Sequence, residues 1–279
     1  MIKKKQYLAG ERIRVSLFVM VVTLLAASPG LYFFYPEARA QDASPNIDSK
    51  AASILHGMSD LMGSKDEYTF KANIMYDDLL NTQWKIQYDA DETVFIKKPD
   101  KFYIGYVTNQ GGYKLWYDGG QATLLEVPTN DFSLTTLPGS IDQALTKLKE
   151  QYQFTPALSE FLFINTYKVM TANVITGAYL GTSDVFGAKC HHLLFVEKDI
   201  NWQIWIEDGK RPVPRKLVIN YKNLPESPQF IAVFKDWILG EPITNSALKP
   251  DIPNINSRVE FNRITGNPKF KLGTIRAFH

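Results

Sequence analysis

The sequence predicts an α+β fold: an antiparallel sheet, a helix in front of it and a set of helices inserted mid-chain. Three observations carry this prediction. From Tyr68 onward apolar residues recur at every second position, in short runs separated by Asp, Gly, Pro and Asn, which is the pattern of strands joined by tight turns. Ahead of them, 49–62 spaces Ala52, Leu55, Met58, Leu61 and Met62 by three or four residues, the period of an amphipathic helix. Between two blocks of strands, 141–172 returns to helical spacing.

Taken in order, Phe70, Ala72, Ile74 and Tyr76 alternate with Thr69, Lys71, Asn73 and Met75, and further alternating runs are expected at 82–88, 93–97, 102–107, 114–117 and 122–127. Ser140 is placed to cap a helix over 141–152, with Gln143 completing a capping box and Ile141, Ala144, Leu145 and Leu148 on one side. Thr155-Pro156 then starts a second short helix carrying Leu158, Phe161, Leu162 and Phe163, because the fixed φ of proline suits a first helical turn. A third turn is expected over 167–172, and strands resume at 178–182, 188–197, 201–206, 215–221 and 229–239. Beyond Glu241 the chain turns to Pro, Asn and isolated charges, with one short strand at 259–261, and a loosely held tail is expected over 241–279.

With 45% hydrophobic and 22% charged residues the chain is globular, neither disordered nor wholly embedded in membrane. Its 13% aromatics favour β-structure and extended apolar surfaces. The formal charge of +2 comes from the first forty residues, which hold six basic side chains (Lys3, Lys4, Lys5, Arg12, Arg14, Arg39) and two acidic ones (Glu11, Glu37). Removing six from 31 and two from 29 leaves 25 basic and 27 acidic residues, a net of −2. Nucleic acid is therefore not the expected partner, since phosphate binding needs a basic excess.

The same forty residues have the order of a secretory signal: a basic start, the apolar run Val15 to Ala27, and small residues in Ala38-Arg39-Ala40. An apolar return at Leu31-Tyr32-Phe33-Phe34-Tyr35 lengthens the apolar reach to that of a membrane span. Two fates are open: cleavage after Ala40, giving a soluble periplasmic protein, or an uncleaved anchor tethering it to the inner membrane. Residues 41–48 then form a linker, and 49–240 a single domain. The chain has one cysteine, so no intrachain disulfide forms, and none follows the apolar run to carry a lipid.

Reactive chemistry is thinly represented. Cys190-His191-His192 holds good zinc ligands, but neighbours on a strand face opposite ways, so His191 cannot join Cys190 and His192 at one ion. No metal site is assigned, no cofactor is called for, and no catalytic residue is assigned. Asp77-Asp78 and Asp89-Asp91-Glu92 read as turn-like polar segments whose carboxylates solvate a loop. Glu207-Asp208-Gly209-Lys210-Arg211 reads as the turn of a hairpin, with Pro212 and Pro214 in the loop or at the first strand residue. The apolar material exceeds the needs of one sheet face. Two readings are open: these residues pack a core against the helices, or a curved sheet lidded by the 141–163 helices leaves a cavity for a lipid or acyl chain.

Two stretches resemble known families. "VFIKKPDKFYIGY" with "YKLWYDGGQATLLEV" is similar to the LolA/LolB-like bacterial lipoprotein carriers: a strand, a basic residue before Pro, a second strand, then a hairpin turning on Asp-Gly. "YLGTSDVFGAKCHHLLFVEKDINWQIWIEDGKRPVPRKLVINY" with "FKDW" resembles a family of predicted periplasmic proteins of unknown function. The resemblance implies a strongly curved half-barrel with a helical lid over a hydrophobic cavity. The apolar faces of the alternating strands supply the candidates for its lining: Phe70, Ile74, Trp84, Ile86, Phe102, Ile104, Leu115, Trp202, Ile204, Leu217 and Ile219. The lid residues would be Leu145, Leu148, Leu158, Phe161 and Leu162, with Lys98 in the place of the basic residue that helps hold the carriers' lid closed. The expected function is non-catalytic binding of a lipid, acyl chain or lipoprotein-like apolar ligand. An envelope protein-interaction or stress-sensing module, and thirdly a hydrolase with an unrecognised site, stay open.

Overall fold

The computed structural model describes residues 45–80, 84–127, 129–137, 139–252 and 257–265. The expected export segment, the first half of the linker after it (41–44) and the last residues of the tail lie outside these.

The chain order is β1 (Asn46–Ile47), α1 (Ser49–Gly63), β2 (Glu67–Leu80), β3 (Trp84–Lys97), β4 (Lys101–Thr108), β5 (Gly111–Tyr117), β6 (Gln121–Glu126), β7 (Phe132–Thr136), α2 (Ile141–Tyr152), a 3-10 turn (Ser159–Leu162), α3 (Thr166–Thr171), β8 (Thr176–Val185), β9 (Ala188–Val196), β10 (Ile200–Glu207), β11 (Pro214–Tyr221), β12 (Gln229–Leu239) and α4 (Phe261–Thr265). The strands form one sheet in the order β1-β8-β9-β10-β11-β12-β2-β3-β4-β5-β6-β7. It consists of two antiparallel meanders, β2 to β7 and β8 to β12, fused where β12 pairs with β2. Among the described strands only the two-residue β1 runs parallel to its neighbour, β8. The sheet is open: its order ends at β1 on one side and β7 on the other.

This topology explains the lid. The chain leaves the first meander at β7, one edge, and must begin the second at β8, near the other edge. Twelve strands at about 4.8 Å span roughly 50 Å if flat. The sheet curves instead, and the crossover of α2, the 3-10 turn and α3 runs over its inner face. Residues from both meanders, from α1 and from the crossover share one buried core that includes Phe70, Val94, Leu115, Leu124, Phe161, Phe195, Trp202 and Phe230.

Local chemistry sets the helices. Asp48 caps α1, its side chain accepting from the backbone N–H groups of Lys50 and Ala51 at 2.9 and 3.0 Å. The predicted capping box of α2 is present: the Ser140 N–H donates to Gln143 Oε1, and the Gln143 N–H to Ser140 Oγ. The expected helix after Pro156 shortens to the 3-10 turn, because Leu158 adopts left-handed backbone angles (φ 53°) and breaks the helical run.

Two other expectations change. The polar stretch around Asp89–Glu92 is the middle of one long strand, β3, and Asp77 and Asp78 likewise lie within β2. Cross-strand pairing to β2 and β4 satisfies the backbone of this stretch, which overrides its polar composition. The Pro/Asn-rich segment is held at described points. Ile243 N–H bonds Glu67, Leu248 is buried, and Arg258 bridges Phe132 in parallel at the free edge of β7. The strand expected at 259–261 is replaced by that bridge and by α4, which buries Phe261 and Ile264 and sets Phe261 against Tyr152 and Phe154.

Candidate functional site

The inner face of the sheet beneath the crossover is the candidate site. Alternation makes most of it apolar: Phe70, Ile74, Phe102, Ile104, Leu115, Trp202, Ile204, Leu217 and Ile219, nine of the residues expected to line a cavity, are each no more than 1% exposed and lie in the one core. Trp84 and Ile86 do not join them. They lie at the far end of the β2–β3 hairpin, Trp84 62% exposed and Ile86 half-buried, because that end of the pair extends past the core. From the crossover, Leu145, Leu148, Leu158, Phe161 and Leu162 are all buried against this face. Phe161 is the deepest link, with its ring centroid 5.1 Å from that of Phe234 and 6.4 Å from that of Phe70. The Phe70 centroid lies 4.6 Å from that of Trp237.

Three tyrosines on the inner face hold the crossover by its backbone. The Tyr68 hydroxyl donates to the Phe161 carbonyl at 2.6 Å, and the Tyr113 hydroxyl accepts from the Ala157 N–H at 3.3 Å. The Tyr117 hydroxyl lies 2.6 and 2.7 Å from the carbonyls of Leu137 and Gly139, where the crossover begins. Lys98, expected to be the latch, sends its Nζ to the carbonyls of Met62 and Gly63 at 2.8 and 3.0 Å, so its bonds close the last turn of α1. The charges of Asp66, just after α1, and of Asp142, at the start of α2, also bear on Lys98. Burial still leaves its ammonium easier to deprotonate than usual.

Two acids stand within this apolar setting. Cross-strand register puts Phe234, Ala72, Glu92, Tyr106, Tyr113 and Glu126 in one row across β12, β2, β3, β4, β5 and β6. Glu92 shares the inward parity of Ala90, Val94 and Ile96 and is 1% exposed. Neither of its carboxyl oxygens has a hydrogen-bond partner. Above the row, Glu160 belongs to the 3-10 turn, three residues after the Ala157 that Tyr113 binds. It is 3% exposed and its Oε2 is also unpartnered. The buried hydroxyl of Tyr221, at the end of β11, feels the charge of Glu160.

The electrostatics follow from burial. Loss of water lifts Glu92 well above the usual carboxylate range, and the charge of Glu160 lifts it further. Burial pushes Glu160 up to about 7, its own backbone N–H and Lys149 opposing the rise. Burial likewise holds Tyr106 and Tyr113 above the usual phenol range, with the charge of Glu92 adding to both. A third buried acid shows the contrast: Glu197 accepts from Trp202 Nε1 at 2.8 Å, the kind of partner that Glu92 lacks. Chemically, the pair under the crossover offers a proton-bearing, hydrogen-bonding point in a face with little other polarity.

The Cys190-His191-His192 cluster divides as strand alternation requires. His191 lies 3.2 Å from Asp208 and 3.3 Å from the Tyr179 hydroxyl, whereas His192 meets Gln203 and stacks on Trp205 at 4.0 Å. Cys190 is buried, its thiol directed to the Ala188 carbonyl, and burial pushes it up to about 11. Among the described residues no group of three or more His, Cys, Asp or Glu side chains gathers that can hold a metal ion. The 208–213 segment is the turn of the β10–β11 hairpin, with Gly209 at φ 146° and Pro214 opening β11. Asp208 ties it to β9 through Lys189 at 2.9 Å. Among the described residues no helix is long and apolar enough to cross a membrane.

No curated protein matches the chain in sequence. Among solved structures it is similar to the lipoprotein LppX of Mycobacterium tuberculosis, 12% identical over 71% of this chain and 98% of that one, with a TM-score of 0.40. It is similar also to LprF of Mycobacterium bovis, 12% identical over 74% and 97%, TM-score 0.40. A LolA superfamily protein of Nitrosomonas europaea is 11% identical over 72% and 97%, TM-score 0.35. The sequence profile of the predicted periplasmic proteins called DUF2092 matches residues 51–262, from α1 through the sheet and crossover into α4, and the chain belongs to that periplasmic family.

Proposed function

We propose that the protein is a non-catalytic periplasmic binding protein that holds an apolar ligand, a lipid or acyl chain, between the inner face of the curved sheet and the crossover. The observation that supports this reading is how the crossover is attached. It covers an apolar face with Leu158, Phe161 and Leu162, and a few discrete polar bonds tie it down: three tyrosine hydroxyls on its backbone atoms, Tyr152 with Thr135, the Tyr167 N–H on Ser59 and the Ile141 N–H on the Pro99 carbonyl. Each such bond contributes roughly 0.5–1.5 kcal/mol. Lifting the crossover leaves the strand ladders intact, and an acyl chain laid on the exposed face restores the apolar burial that Phe161 and its neighbours gave up. Catalysis is not part of the reading, because Glu92 and Glu160 lie under cover and the Cys190 thiol is buried and poorly ionised.

The test is the native protein from Gln41 onward. Organic extraction and mass spectrometry are expected to recover lipid, and a fluorescent acyl probe is expected to bind the extracted protein. Tyr68→Phe removes one anchor and is expected to speed probe association several-fold, in line with the loss of about 1 kcal/mol. Protein that carries no lipid and binds no acyl probe overturns the reading.

A further inference from the structure

We propose that Glu92 and Glu160 form the polar end of this ligand site and that they take a primary ammonium at the head of an amphiphile. The inference rests on the apolar-ligand reading and names the headgroup that reading leaves open.

Position comes first. Glu92 is not a rim residue: it stands mid-strand in β3, between Ala72 of β2 and Tyr106 of β4, with the crossover above it. Glu160 is carried by the crossover itself, next in sequence to Phe161, whose carbonyl Tyr68 holds and whose ring enters the aromatic group of Phe70, Phe234 and Trp237. One acid is thus on the floor and the other on the lid, and apolar side chains surround both. Three carboxyl oxygens, both of Glu92 and Oε2 of Glu160, have no partner. Buried polar atoms without partners are costly, and each asks what satisfies it.

The chemistry of the surroundings selects the guest. A primary ammonium has three N–H donors, matching three open oxygens. Its single positive charge balances the pair when one of the two acids keeps its proton. The stacked rings of Tyr106 and Tyr113, 5.4 Å apart, lie in the same row and offer aromatic surface that favours a cation. An anionic head, carboxylate or phosphate, meets two acids. Among the described residues the one cation whose charge bears on the pair is Lys149, an exposed residue of α2. An uncharged hydroxyl head satisfies fewer of the oxygens and brings no charge.

Three probes with one chain length and different heads separate these cases: decylamine, decanol and decanoate, each below its micelle concentration, competing with a fluorescent acyl probe at pH 8. The expected order is decylamine tightest, by about tenfold over decanol, with decanoate weakest. Glu92→Gln with Glu160→Gln keeps side-chain shape and removes the buried acids, so the double variant is expected to fold, as a thermal melt checks. It should bind decylamine and decanol alike. Equal binding of decanoate and decylamine by the native protein, or an amine preference that survives in the double variant, overturns the ammonium site while leaving the apolar-ligand reading standing. Binding of none of the three probes overturns both.

Discussion

At the scale of single residues, the cost of Glu92 and Glu160 sets how stability depends on pH. Burial raises both acids above the value near 4.5 that an exposed glutamate has. In the interval above 4.5 the unfolded chain releases these protons while the folded chain keeps them, so stability is full below about pH 4.5 and falls as pH rises. For Glu160, pushed to about 7, the loss between those two values is about 3 kcal/mol, and Glu92 carries the fall to higher pH. Glu160→Gln is expected to leave stability near pH 4.5 almost unchanged and to raise it by about 2–3 kcal/mol at pH 7.5, measured by urea unfolding at both values. A native stability that is flat or rising over this interval contradicts the burial of a protonated Glu160. The sequence contained a sign of Glu92 that composition obscured: counted as one strand, 90, 92, 94 and 96 share a face, and three of the four are apolar. Glu160 had no comparable sign, since its inward placement depends on the left-handed Leu158 that ends the helical run.

Among the elements, those with strong local chemistry were the most legible. Helix α2 matches its predicted bounds because Ser140 and Gln143 cap it and Ile141, Ala144, Leu145 and Leu148 give it one apolar side. Strand β12 also matches its predicted bounds, although its ladder to β2 shifts register between Lys235 and Ile238. Two short strands, β1 and β7, were missed: the first is two residues long and the second is an edge strand of five. The β8–β9 hairpin shows a local choice at odds with its surroundings. Its turn places Phe186 at φ 48° and Gly187 at φ 84°, both in the left-handed region that a two-residue primed turn demands. Glycine tolerates this, whereas phenylalanine there is strained, and at 86% exposed it gains little burial in return. Phe186→Asn is expected to stabilise the protein by roughly 0.5–1 kcal/mol, read as a higher midpoint in chemical unfolding. A lower midpoint shows that Phe186 makes contacts that outweigh its backbone strain.

For the whole molecule, the decisive feature is that the chain's order and the sheet's order differ. The second meander is added beside β2, the first strand of the first meander, so the connection from β7 to β8 has to travel between edges over the inner face. Short parallel segments lie along the outermost strands, β1 on β8 and Arg258 on Phe132, which limits pairing with other chains. The α4 segment that follows Arg258 packs Phe261 against Tyr152 of α2 and Phe154 of the crossover, with centroids 4.5 and 6.4 Å away. The C-terminal segment therefore supports the crossover. Phe261→Ala is expected to cost about 3 kcal/mol and to make the protein bind an acyl probe faster. Unchanged unfolding and unchanged probe kinetics show that the segment contributes nothing to the closed state. The sequence by itself determined the class of fold, the capping box of α2 and most strands, because these depend on neighbours a few positions apart. Only the tertiary structure decided which apolar face lies beneath the crossover, that tyrosine hydroxyls bond the crossover's backbone while Lys98 bonds the end of α1, and that Glu92 and Glu160 come under one cover. Those outcomes depend on strand register and on a connection between distant edges, where the pairing of residues far apart in the chain outweighs local composition.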